Sequence, residues 1–168
     1  MSKKSHTNFI AEKNTAPAID KTDIQILNIL QENNLLTNLE LAEKVNLSPP
    51  PCLRRVKRLN ELGVISQNVA IVDPQKVGHT LVVFISITLE KQREDLLQSF
   101  ERKMLEHPEI TQCYFVSGET DYLLVAQLKD MQAYNEFARK VFANEPNIKV
   151  FRSSFCLSRI KYSTRVSL

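Results

Sequence analysis

Between Ser48 and Arg58 the chain carries Arg54, Arg55, Lys57 and Arg58 and no acidic residue. The rest of residues 20–62 holds Asp20, Asp23, Glu32, Glu40, Glu43 and Glu61, so the excess of cations is confined to one short segment. Set on a helix at about 100° per residue, Cys52, Val56 and Leu59 share one face, with Leu53 beside them. Arg54, Lys57 and Arg58 fall opposite, Pro50 lies on their side one turn earlier, and Arg55 sits near the border. A helix with one apolar face and one cationic face can pack on a small domain and still enter the major groove of DNA. There an arginine can pair with guanine O6 and N7, while a lysine mainly neutralises phosphate. A basic face alone would equally suit a solvated helix of no special function, so the surrounding elements have to decide.

Three short helices are expected over 20–62. Asp20 precedes an apolar stripe of Ile24, Leu27 and Leu30, and Asp23 at the third position favours the helix start. Thr37 and Glu40 form a capping box that opens a second helix with Leu41, Ala42 and Val45 inward. Asn46 falls where a tight turn asks for a positive φ, which Asn tolerates better than most residues. Leu47 is placed to plug the core, Ser48 caps the basic helix, and Pro49 fits its first position, where no N–H is needed. Gly63 can close that helix in the left-handed conformation. This register reads as a helix-turn-helix. The candidate DNA-contacting set is Thr37, Asn38, Ser48, Pro50, Arg54, Arg55, Lys57 and Arg58.

Composition excludes much else. Of 168 residues, 43% are hydrophobic and 24% charged, the balance of a folded soluble chain, and the net charge is only +3. No apolar run reaches the roughly 18 residues needed to span a bilayer, and no h-region follows the basic N-terminus, so a cytoplasmic location is expected. Cys52, Cys113 and Cys156 have no metal-ligand spacing, and no cofactor is expected. Neither His6, His79 nor His107 has a catalytic partner at a telling spacing, and three glycines leave no phosphate-cradling loop, so an enzyme is not expected.

Residues 1–18 read as a flexible arm bearing Lys3, Lys4 and Lys13. Residues 19–66 form the helix-turn-helix domain, and 67–79 a strand and linker, with Val and Ile enriched over 64–73. Residues 80–168 follow the order strand 81–89, helix 94–105, strands 110–117 and 121–128, helix 130–144, strand 148–157. That is the βαββαβ order of a ferredoxin-like domain, so the fold class is α+β. Its helices offer Leu97, Phe100 and Met104, and Tyr134, Phe137, Ala138 and Val141, at helical spacing. Both helices would cover one side of the sheet. Val83, Ile85, Ile87, Leu123, Val125 and Gln127, alternating along two strands, are the residues expected on the uncovered side, through which the chain would dimerise.

With these residues in place, the chain resembles the Lrp/AsnC family of transcription regulators. The resemblance runs from Ile19-Asp20-Lys21-Thr22-Asp23 through Glu40-Leu41-Ala42, Val45-Asn46-Leu47-Ser48 and Cys52–Leu59 to Gly63-Val64-Ile65. It continues through Pro108-Glu109-Ile110, Val116–Tyr122 and Lys161. Two positions depart from the family: Asn46 stands for a turn glycine, and Ser48-Pro49-Pro50-Pro51 for the common Ser-Pro-Ser-Pro, which removes a hydroxyl at Pro50. The resemblance implies a winged or plain helix-turn-helix, a ferredoxin-like domain that binds an amino-acid effector, and a homodimer that can build an octamer on double-stranded DNA. It places the effector at the loop Gly118-Glu119-Thr120-Asp121. There Asp121 or Glu119 could pair with an α-ammonium group, N–H groups near Gly118 could take the carboxylate, and Thr120 could add a hydroxyl. An architectural DNA-binding protein without an effector is the alternative; a ligand-dependent change in DNA affinity separates the two.

Overall fold

The structure is a computed structural model that describes residues 17–168. The expected arm, with Lys3, Lys4, His6 and Lys13, lies almost entirely outside the described residues. The chain divides into two compact units. One takes the described residues up to Ala70 together with Ser163–Leu168, and the other takes Ile71–Tyr162.

In the first unit, α1 (Lys21–Glu32) starts at Asp20, whose carboxylate accepts from the Asp23 N–H, while the Asp23 carboxylate accepts from the Asp20 N–H. This reciprocal box satisfies two donors that a helix start leaves orphaned. The buried side of α1 is Asp23, Ile26 and Leu27; the expected inward Ile24 is only half-buried. The stripe is rotated because Ile26, fully buried, packs with Leu41, Ala42, Cys52 and Leu59. Helix α2 (Asn38–Lys44) opens on the predicted Thr37–Glu40 capping box. Asn46 adopts φ 54°, as the turn requires, and Leu47 packs against the core from the turn.

Helix α3 (Pro49–Glu61) follows. Ser48 is its N-cap residue, but its hydroxyl makes no capping bond, contrary to expectation. Prolines at the first positions remove N–H donors that a cap would otherwise have to satisfy. Leu53, expected beside the apolar face, is exposed. The helix ends in a Schellman motif: Gly63, φ 70°, donates to Asn60 O, and Val64 donates to Leu59 O. Ile65 donates to the same Leu59 carbonyl. The strand expected over 64–73 does not form. Its first N–H groups are consumed by the helix cap, and no neighbouring strand among the described residues offers a ladder to the rest.

The second unit is the predicted βαββαβ. Strand β1 (Leu81–Leu89) leads to α4 (Glu94–Leu105), β2 (Ile110–Phe115), β3 (Tyr122–Leu128), α5 (Met131–Val141) and β4 (Ile148–Phe155). The antiparallel sheet has order β2-β3-β1-β4. Both helices supply one core, built on Val83, Ile85 and Ile87 of β1, Tyr122, Leu124 and Ala126 of β3, and Phe100, Met104, Phe137 and Val141 of the helices. The expected uncovered set therefore splits. Ile85 lies opposite Leu124 and faces the helices, whereas Phe84 lies opposite Val125 on the other side. Val83, Ile85 and Ile87 are core; Leu123, Val125 and Gln127 share the open side with Val82, Phe84 and Ser86. The sequence reading counted residues of two strands in one parity, and only the pairing register fixes how those parities align.

Candidate nucleic-acid interface and effector loop

The turn fixes the start of α3. Asn38, on the first turn of α2, donates from its side-chain amide to Pro49 O at 2.8 Å. Thr37 is occupied locally: its N–H and its hydroxyl both bond the Glu40 carboxylate, which holds the Glu40 pKa below its ordinary value. Two of the candidate DNA contacts thus have established work at the helix junction. Thr37, Ser48 and Pro50 remain exposed.

The four cations of α3 separate into two pairs. Arg54 and Lys57 are exposed and make no ion pair among the described residues. Arg55 and Arg58 reach across to α1. Arg55 NH1 lies 2.8 Å from Asp23 Oδ1 and 2.7 Å from Asp20 Oδ2. Arg58 NH1 lies 3.2 Å from Asp23 Oδ2, and its NH2 donates to Ala18 O. The helical wheel pointed Arg58 outward, but a long side chain follows the charge it can reach. Asp23 is the reason, because its side chain is 1% exposed and a buried carboxylate needs cationic or N–H partners. Sequence reasoning used Asp20 and Asp23 only as helix-start signals. The missed clue was Asp23 three residues before Ile26, an acid on the buried stripe.

The acidic ends of these pairs respond to their surroundings. The Asp23 N–H, and then the Arg55 guanidinium, lower the Asp20 pKa below its ordinary 3.8; Asp23 and Asp20 in turn raise that of Arg55.

In the second unit the loop after β2 carries the other candidates. Gly118 has φ 140°, and Ser117, Gly118 and Glu119 are exposed. The loop then folds back on β1. Thr120 donates its hydroxyl to Ile87 O at 2.6 Å, and the Asp121 N–H donates to the same carbonyl at 2.8 Å. Asp121 is buried; its Oδ2 accepts from the Leu89 N–H at 2.6 Å and its Oδ1 from the Gln92 amide. The Val116 N–H closes the base of the loop on Asp121 O. So Thr120 and Asp121 anchor the loop, and Gly118 and Glu119 present it to solvent. Gln92, the partner of Asp121, escaped the sequence reading because only strand pairing brings it 29 residues back along the chain.

Comparison with known proteins agrees with both units. Residues 19–66 match a family model described as winged helix-turn-helix DNA-binding, and residues 82–166 match the Lrp/AsnC ligand binding domain. The chain belongs to the Lrp/AsnC family. An HTH-type transcriptional regulator of Sinorhizobium fredii is 39% identical over 91% of this chain and 90% of its own length. The leucine-responsive regulatory protein of Escherichia coli is 34% identical over 93% and 95%. Among solved structures, a transcriptional regulator of Neisseria meningitidis in complex with L-Met superposes with a TM-score of 0.85 at 41% identity, covering 89% of this chain and 97% of that one. As an Lrp/AsnC protein the chain is a DNA-binding transcriptional regulator with a ligand-binding domain, and its relatives are regulators, not enzymes. Among the described residues no helix is long and apolar enough to cross a membrane.

The ion network generates a pH prediction. A carboxyl whose folded pKa is depressed contributes stability that is complete above its unfolded value, here 3.8, and is lost as pH falls through the lower folded value. Urea unfolding between about pH 2 and 5 should therefore show a smaller acid-side loss for Asp20→Asn than for the wild type. Identical acid profiles would show that the bonds of Asp20 contribute nothing to acid-side stability.

Proposed function

We propose that the chain binds specific DNA sites through the exposed face of α3 and that an amino acid held at the Gly118–Asp121 loop modulates this binding. The observation that carries the reading is the division of α3: a face packed on the core, two arginines held by α1, and Arg54 and Lys57 turned to solvent beside Pro50. Arg54 is suited to a base edge and Lys57 to phosphate, with Thr37, Asn38, Ser48 and Pro50 lining the approach. Such a regulator works in the cytoplasm, where a bacterial chromosome lies. Gel-shift titrations test the DNA part. Arg54→Ala should weaken binding to a selected duplex by about 1–3 kcal/mol and relax its sequence preference. Lys57→Ala should weaken all duplexes evenly and flatten the salt slope by about one. Unchanged affinity and preference in Arg54→Ala would mean that this face does not meet the bases.

For the effector, the loop offers the complementary chemistry. The N–H groups of Gly118 and Glu119 find no acceptor among the described residues, so they are available to an α-carboxylate. The Glu119 carboxylate is exposed and can meet an α-ammonium group. Asp121, already bonded by Leu89 and Gln92, shapes the loop. Leucine and methionine are the first candidates, given the names of the E. coli and N. meningitidis relatives. A thermal-shift screen of the twenty amino acids should give a stabilising ligand, as binding to the folded state raises the melting temperature. Glu119→Gln should weaken that ligand with the melting point of the free protein unchanged, whereas Asp121→Ala should lower that melting point and lose the response together. Full affinity in both variants would place the ligand elsewhere.

The open side of the sheet supports a homodimer as the unit that binds DNA. Phe84, Leu123, Tyr114 and Val150 all expose apolar surface there, beside Val82 and Val125. Face-to-face pairing of two such sheets would remove it from water, and two recognition helices about one DNA turn apart would then favour a palindromic site. Further association to an octamer belongs to the same reading. Sedimentation of the full chain should show at least a dimer, and Leu123→Glu should shift it toward monomer; a wild-type monomer at micromolar concentration would refute the pairing.

A further inference from the structure

Arg55 and Arg58 stand on the helix that carries the proposed DNA-reading face, yet among the described residues every side-chain bond they make runs to α1 or to the residues just before it. Asp23 binds both guanidiniums, one on each carboxylate oxygen. Asp20 takes a second bond from Arg55, and Ala18 O takes one from Arg58. Asp23 is buried on the core side of α1, so its charge cannot be left to water. The pairing is also geometrically defined, because the guanidinium is planar and its donors point in fixed directions. Together these bonds join the start of α1 to the middle of α3.

Electrostatic attraction to DNA is set by the cations that can neutralise phosphate, and each one adds to affinity for every sequence alike. An arginine committed to a carboxylate adds little, since the pair is neutral as a unit. Of the four cations on α3, Arg54 and Lys57 are the two that make no ion pair among the described residues. We propose that Asp20 and Asp23 are specificity-determining positioning residues that withhold Arg55 and Arg58 from phosphate, lowering indiscriminate DNA affinity so that base contacts decide where the protein binds. This rests on the reading that the exposed face of α3 meets the groove. The two arginines, counted among DNA contacts on sequence grounds, become the means by which α1 fixes the angle of that helix.

The test is the salt dependence of binding by the full-length protein to two probes: a duplex that the wild type selects from a random pool, and a scrambled duplex of the same composition. Asp20→Asn is the primary variant. Asn caps a helix as well as Asp does, and Asp20 is half exposed, so the fold should survive. Asp20→Asn leaves Arg55 held by Asp23 alone, and loosening it should steepen the slope of log K against log salt on the scrambled duplex, by up to about 0.9, one phosphate contact, and should reduce the preference for the selected duplex. Glu61→Gln, the same change of charge on an exposed residue of α3 outside the network, should leave the slope unaltered. Asp20→Asn combined with Arg55→Gln should return the slope to the wild-type value. Arg55→Gln alone should also keep it, because Arg55 does not touch phosphate. A slope for Asp20→Asn equal to that of Glu61→Gln would overturn the proposal. A slope flattened by about 0.9 in Arg55→Gln would do the same, since Arg55 would then be a phosphate contact already. If the wild type itself binds both duplexes without salt dependence, the DNA reading of α3 fails first, and this inference with it.

Discussion

A carboxylate removed from water has to be bonded, and the two acids buried among the described residues, Asp23 and Asp121, each tie together one unit. Asp23 closes the N-terminal box of α1 and draws Arg55 and Arg58 of α3 toward it. Asp121 takes the Leu89 N–H at the end of β1 and the Gln92 amide beyond it. In each case one side chain joins segments far apart in sequence, and in each case the group next to it faces solvent: Arg54 and Lys57 in one unit, Gly118 and Glu119 in the other. Removing Asp121 would leave the buried Leu89 N–H without its acceptor, and removing Asp23 would release the two guanidiniums it holds.

The consequence for DNA recognition is a matter of counting available charge. Four cations on one helix would bind any duplex strongly and discriminate poorly. On the proposed reading, pairing half of them with acids of α1 would keep the helix cationic enough to approach phosphate while leaving the balance with contacts that read bases. The prolines at the start of α3 act in the same direction. They remove hydrogen-bond donors from that helix end and restrict its backbone, and the Asn38–Pro49 bond ties it to α2. On that reading, stability and specificity would be supplied by the same few side chains.

The Gly118–Asp121 loop shows a comparable economy. Thr120 and Asp121 spend their polar groups on β1, which fixes the loop's base, and the N–H groups of Gly118 and Glu119 and the Glu119 carboxylate have no partner among the described residues. A loop anchored on a rigid sheet can present such groups without ordering cost at the moment of binding. The open face of the same sheet carries the apolar residues that a second copy would cover. Assembly and ligand response would then draw on adjacent parts of one domain.

Much of this was legible before any coordinates. The helix-turn-helix register, the capping box at Thr37 and Glu40, the left-handed Asn46 and Gly63, and the βαββαβ order all follow from local rules: periodicity, capping and backbone preference act within a few residues. The cationic character of α3 and the motifs of the family are equally local. What tertiary structure decided is everything that depends on a partner distant in sequence. It bonded Arg58 to Asp23, a buried acid 35 residues away, although its side chain stays partly exposed. It left residues 64–73 without a strand, since a strand exists only where a neighbour completes its hydrogen bonds. It assigned Val83, Ile85 and Ile87 to the core and Leu123 and Val125 to the open face, because cross-strand register fixes how alternation on one strand aligns with that on the next. And it gave Asp121 an anchoring place under the loop, where the sequence could show only an acid following Gly118, Glu119 and Thr120.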